Sequence, residues 1–238
     1  MGLHVTVVVP AYNTATFISE CLNSILVQDY TDYDVIVVND GSTDQTEKVV
    51  EGYLYTKRVN LLSLPKHVNV TEATRIGLQH AKGPIITIVD SDDKIFVDAL
   101  SVMAKVFKAN HDVGFAWSRF MMFNGGMGWA RDVPCGKSMY DVMMRGEWWN
   151  APHHKFFRKS VYDLTPGLNS EFDRASDFQL VLLLAWVGCR VLHVEKVTYW
   201  YRRMRPGSLS SQGRDKQRVA VNGIRKWVKG LKNGKNRR

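Results

Sequence analysis

The chain has 238 residues, 45% hydrophobic and 11% aromatic, enough to build one sizeable α/β domain around a packed core. No stretch approaches the roughly 18 apolar residues of a membrane span. Three widely separated cysteines, Cys21, Cys135 and Cys189, exclude a disulfide framework and a cysteine metal knuckle.

The formal charge of +9 is unevenly distributed: residues 202–238 hold 13 of the 32 basic side chains and a single acid, Asp215, so the body is slightly acidic. Unpaired thiols, and an N-terminus that enters a strand without a charged start or a cleavage site, set the expected location as cytoplasmic.

Val5-Thr6-Val7-Val8-Val9 is a β-branched run stopped by Pro10, and residues 15–27 carry a helical pattern. A second apolar run, Val35-Ile36-Val37-Val38, stops at Asn39-Asp40-Gly41-Ser42, after which a helix is predicted over 45–55. Residues 59–64 form a third predicted strand, 71–81 a third helix and 85–89 a fourth strand. Short strands that are apolar on both faces and alternate with helices predict an α/β fold. Its central sheet should be mostly parallel and Rossmann-like, with helices on both faces. Ligands bind such sheets beyond the carboxyl ends of the strands. Pro10-Ala11-Tyr12, Asp40-Gly41-Ser42 and Asp90-Ser91-Asp92 all fall there, so three polar sites far apart in sequence should converge.

Farther along, the pattern predicts a helix to about residue 108, a strand over 113–120, a Gly-rich loop or hairpin over 124–134 and a short helix over 140–145. A return strand or turn starts at 155–158, an apolar helix covers 176–187, and strands follow at 190–194 and 198–202. In the basic tail, 212–238, Ile224, Trp227, Val228 and Leu231 recur at helical spacing among lysines and arginines, interrupted by Gly223 and Gly230. Three readings stand for this helix: docking on the body, contact with an anionic membrane surface at the inner face, or contact with nucleic acid.

Asp90-Ser91-Asp92-Asp93 clusters carboxylates at the mouth of a buried strand. Such a group suits a hard divalent cation, and a cation that keeps open positions suits a diphosphate. The same segment also fits a helix N-cap with acids in the first turn.

Taken together, these residues resemble the inverting nucleotide-sugar glycosyltransferases of family 2, with the GT-A fold, over residues 4–211. Val8-Val9-Pro10-Ala11-Tyr12-Asn13 resembles the family's opening strand, and Val37-Val38-Asn39-Asp40-Gly41-Ser42-Thr43-Asp44 its second-strand signature. Ile88-Val89-Asp90-Ser91-Asp92-Asp93 is similar to the metal-binding acidic motif, and Phe172-Asp173-Arg174-Ala175-Ser176-Asp177 to the segment with the catalytic base. Tyr199-Trp200-Tyr201-Arg202 with Ser208 and Ser210 resembles the closing motif.

The resemblance implies a nucleotide-sugar half over about 1–93 and an acceptor half over about 94–211. It implies Mn²⁺ or Mg²⁺ on Asp92 with help from Asp90, which also serves the nucleotide. Pro10, Ala11, Tyr12 and Asp40 would hold the base, uracil by resemblance, with Asp40 accepting its imide N–H. Asp177 would be the general base for an acceptor hydroxyl in a single inverting displacement.

This chain departs from the family pattern in three places. Ser176 replaces the usual Glu, Thr74-Arg75 replaces Arg-Asn, and Met204 stands where a His is common. Arg75 is then a phosphate candidate or a solvated helix residue. Arg202, Arg203 and Arg205 are diphosphate candidates, and Trp149, His153 and His154 acceptor-side candidates. The expected activity is transfer of a sugar from a UDP-sugar to a glycan, lipid-linked or other hydroxyl. The alternatives are an idle nucleotide-sugar or glycan-binding module and a nucleotidyltransferase.

Overall fold

The structure, a computed structural model, describes residues 2–123, 127–128, 138–146, 153–202 and 214–232. The β-branched runs form β1 (Val5–Ala11), β2 (Tyr33–Asn39), β3 (Val59–Ser63) and β4 (Ile85–Ile88), and the intervening patterns form α1 (Ile18–Leu26), α2 (Thr46–Glu51) and α3 (Val70–His80). A single 3₁₀ turn, Leu54–Thr56, takes the end of the long helix expected after β2. Then come β5 (Lys94–Ile95), α4 (Ala99–Ala109), β6 (Val113–Met122) and β7 (Met127–Gly128). The chain continues through α5 (Met139–Arg145), β8 (Lys155–Arg158), α6 (Lys159–Tyr162), α7 (Ser176–Trp186), β9 (Arg190–Tyr201) and α8 (Arg214–Lys232).

These strands make one sheet in the order β3-β2-β1-β4-β8-β6-β9-β5, with β7 paired to β6. The expected parallel character is concentrated in β3-β2-β1-β4. Beyond β4 the sheet is mixed, because β8 enters antiparallel to both β4 and β6 while β6 and β9 run parallel. The two strands expected over 190–202 are one strand. Ser118 pairs with Val194 and Arg119 with Val197, so the polar pair Glu195-Lys196 is accommodated as a bulge.

Alternation along the strands divides the core in two. Val8, Ile36, Val38, Ile86 and Ile88 face α3, α5, α7 and α8, while Val5, Val7, Val9, Val35 and Val37 face α1 and α4. Both faces of the parallel half are therefore covered, as its uninterrupted apolar runs require.

The basic tail helix α8 belongs to the first of these cores. Val221, Ile224, Val228 and Leu231 are buried in it, Trp227 packs on Phe172, and Arg225 Nε donates to the Met143 carbonyl at 2.8 Å. Its apolar face is covered by the protein's own helices, and its exposed face carries Lys216, Arg218, Lys226 and Lys229. No helix among the described residues is long and apolar enough to cross a membrane.

Candidate active site at the carboxyl end of the sheet

Parallel register brings the ends of β1, β2 and β4 side by side: Ala11 pairs with Asn39, and Val8 with both Ile36 and Ile88. The turns beyond β1 and β2 are tied together through Asn13. Its side-chain oxygen accepts the Thr43 amide at 2.8 Å and its own amide donates to Ser42 Oγ at 3.0 Å. Asn13 holds a left-handed φ of 50°, a conformation its side chain tolerates well.

Asp40 is buried at the end of this turn. Its Oδ1 accepts the Val68 amide at 2.7 Å. Its Oδ2 finds no aligned hydrogen-bond donor among the described residues, yet His67 Nδ1 stands 2.9 Å away. Burial raises the Asp40 carboxyl above its ordinary value, and the Val68 amide and the His67 ring oppose that rise. Tyr12, partly exposed at the end of β1, stacks on the His67 ring with centroids 3.9 Å apart and planes at 21°.

The acidic turn after β4 divides its carboxylates by depth. Asp90 is exposed, Asp92 is half-buried and Asp93 is buried. Tyr199 donates to Asp93 Oδ2 at 2.7 Å and the Arg202 amide to Asp93 Oδ1 at 2.6 Å, so Asp93 anchors the turn to β9 from beneath. Burial pushes the Asp93 carboxyl well up, and the charges of Asp90 and Asp92 push it further. The buried Cys21 thiol is raised well above its ordinary value too, by burial first and then by these acids. Negative charge is thus concentrated on a turn held in place, which fits a hard cation with oxygen ligands. No group of three His, Cys, Asp or Glu side chains gathers for a metal among the described residues.

Asp177 stands in the first turn of α7, where its Oδ1 accepts the Phe178 amide at 2.8 Å. The preceding Ala175 enters the helix through a left-handed φ of 61°. A cavity of about 20 Å³, room for about one water, is lined by Val70, Thr74, Ile88, Asp90, Lys155, Ser176 and Asp177. Carboxylates 87 positions apart in the chain thus share one cavity with a lysine.

Arg75 is not the cation that lines this cavity. Arg75 projects from the other side of α3: its guanidinium grips Glu72 with Nε and Nη2, and it lines a separate cleft with Gln79, Tyr162, Asp163, Thr165, Pro166 and Gly167. One position along a helix is about 100° of rotation, so Thr74, not Arg75, faces Asp90 and Asp177. Lys155, buried at the start of β8, supplies the positive charge instead.

His154 is also displaced from its expected place. It is buried against the hydroxyls of Ser118 and Thr198, and burial lowers it to about 3, so it is neutral and out of reach of an acceptor. His153 is lowered to about 3 by the same cause and stacks on Tyr201 with centroids 3.9 Å apart. Arg202 Nε donates to the Asp92 carbonyl at 2.9 Å and Nη2 to Glu20 at 3.1 Å, which places its guanidinium beside the acidic turn. Trp149, Arg203 and Arg205 lie outside the described residues.

The model of the family described as Glycosyl transferase family 2 matches residues 6–166, well over half of the chain. The chain belongs to glycosyltransferase family 2. The sequence is 29% identical over 203 residues to a chondroitin synthase of Pasteurella multocida, a match covering 82% of this chain and 20% of that protein. It is 36% identical over 109 residues to the poly(ribitol-phosphate) beta-N-acetylglucosaminyltransferase TarS of Staphylococcus aureus, covering 44% of this chain and 19% of that one. The chain thus spans about a fifth of the length of these relatives.

Among solved structures, residues 1–349 of S. aureus TarS in complex with UDP-GlcNAc superpose with a TM-score of 0.73 at 24% identity, over 93% of this chain and 65% of that one. The mannosyltransferase PcManGT of Pyrobaculum calidifontis, in complex with GDP-Man and Mn²⁺, gives a TM-score of 0.67 at 23% identity over 98% and 65%. The architecture of this family 2 chain is therefore GT-A, with the acidic turn, Asp40 and Asp177 all at the carboxyl end of its sheet.

Proposed function

We propose that the chain transfers a sugar from a UDP-sugar to an acceptor hydroxyl with inversion at the anomeric carbon. The observation that carries this reading is the shared cavity of Asp90, Lys155 and Asp177. It puts a nucleotide-side acid and a base-type carboxylate around one small space. Asp40 accepts the imide N–H of the base, Tyr12 gives it a flat apolar face, and Pro10 and Ala11 hold both at the end of β1. Asp90 orients the ribose or shares the metal with Asp92. Mn²⁺ or Mg²⁺ on these carboxylates, when bound, neutralises the charge that gathers on the departing diphosphate.

Asp177 takes the proton of the acceptor hydroxyl as its oxygen forms the new bond to C1 and the bond from C1 to the diphosphate breaks. Lys155, which lines the same cavity, brings a positive charge to two carboxylates in close quarters. The acceptor is proposed as a glycan or other polyhydroxyl chain, the class to which the names of the relatives point.

Asp177→Asn tests the assignment. It should retain UDP binding while transfer from a UDP-sugar falls by about 10²–10⁴-fold, the usual contribution of a general base; lost UDP binding would remove Asp177 from that role. Chelation should abolish transfer by the native chain, and full activity in chelator would sink the cation assignment to Asp92.

A further inference from the structure

His67 makes two contacts that a nucleotide base would make in the proposed pocket. Its ring lies flat on Tyr12, 3.9 Å between centroids, and its Nδ1 stands 2.9 Å from Asp40 Oδ2. The other oxygen of Asp40 is committed to the Val68 main-chain amide, which no side-chain rotation can withdraw. Oδ2 is therefore the acceptor left for a base imide, and His67 stands over it. The segment that carries His67 is pressed into place: a Cβ on Gly41 would lie 2.4 Å from the Lys66 carbonyl carbon and 2.5 Å from the His67 amide nitrogen. Base and imidazole cannot occupy this space together.

We propose that His67 is a stopper in the base subsite: its ring fills the place of the base in the nucleotide-free protein, and an incoming nucleotide expels it. The proposal rests on reading Tyr12 and Asp40 as the base pocket. Departure is easy, because the His67 side chain is 47% exposed and rotates about two bonds. With His67 in place, the Tyr12 face and the buried carboxylate are covered before the nucleotide arrives. The base then exchanges one ring and one N–H for another, gaining less than it would in an open pocket. The loss is common to every nucleotide, whatever its sugar or phosphates, and it also loosens the grip on spent UDP.

Calorimetric titration of the full chain with UMP and with UDP, in buffer containing Mg²⁺, tests this. His67→Ala should bind both ligands more tightly by the same factor, roughly 3- to 10-fold, the worth of one modest polar contact. His67→Gln keeps a donor for Asp40 but lacks the stacking ring, so it should fold normally and show a smaller gain. Unchanged binding in both variants would overturn the proposal, as would weaker binding, which would make the ring a wall that holds the base. Asp40→Ala separates the two levels of argument. If it leaves UMP affinity unchanged, the base pocket itself is misplaced; if it weakens UMP while neither His67 variant gains, the stopper alone falls.

Discussion

A methyl group on Gly41 would collide with the Lys66 backbone, at a residue whose φ of 61° already disfavours an L side chain. Gly41→Ala is expected to cost about 2–4 kcal/mol, left-handed strain plus overpacking against main chain. A lower urea midpoint at unchanged slope would show it, and an unchanged midpoint would mean that the loop has room to yield. Neighbouring Asp40, with Asp90 and Asp92, could be singled out as candidates beforehand because they follow apolar runs, whereas Asp177 became a candidate only through the family resemblance. His67 and Lys155 could not. His67 follows Pro65-Lys66 in a stretch without periodicity, and a single lysine such as Lys155 reads as solvated. Lys155 is buried because β8 inserts next to β4, a pairing of residues some 70 positions apart that no local pattern carries. Arg75 and Thr74 differ by one helical position, finer than a helix boundary can be read from a sequence.

At the level of elements, α8 is an integral part of the helical layer. Ile224 and Val228 are fully buried against α5 and α7. Ile224→Ala should therefore lose about 2–5 kcal/mol, whereas Val219→Ala, at an exposed position of the same helix, should stay within about 0.5 kcal/mol. Equal effects in thermal and urea unfolding would mean that the helix is not held by that face. The apolar spacing of α8 was visible in advance, but its partner was not. Gly223, one of the two glycines that weaken its helical propensity, has a second side: a Cβ there would lie 2.8 Å from the Phe172 ring, so the small residue lets α8 approach. Strand β9 was legible as two halves because Glu195-Lys196 interrupts the apolar run, and a bulge dissolves that interruption only in the context of β6.

Across the whole molecule, the two ends of the sheet carry different electrostatics. At the amino end, remote from the acidic turn, His4 lies 2.8 Å from Asp32 and 3.0 Å from Asp34, which also accepts the Thr6 hydroxyl at 2.7 Å. Partial burial alone would lower His4, but the hydrogen bonds and charges of the two aspartates outweigh it and raise it above 6.5. The stabilisation from this raised group is fully present below about pH 6.5 and is lost as pH rises through the folded-state value. The Tm gap between the native chain and His4→Gln should thus be largest near pH 5.5 and close by about pH 9. Because the site is more than a third exposed, the gap should reach at most about 2–4 °C. A gap that widens toward alkaline pH would contradict the direction of the shift.

The anchoring of Asp93 by Tyr199 and the Arg202 amide bears on how far this protein can be divided. The family match ends at residue 166, yet the turn that presents Asp90 and Asp92 is fastened by residues more than thirty positions beyond it, and Asp177 also lies outside. A fragment cut at that boundary would keep the acids and lose their fastening. A folded fragment that keeps the acidic turn fastened therefore has to extend at least through β9 to Arg202.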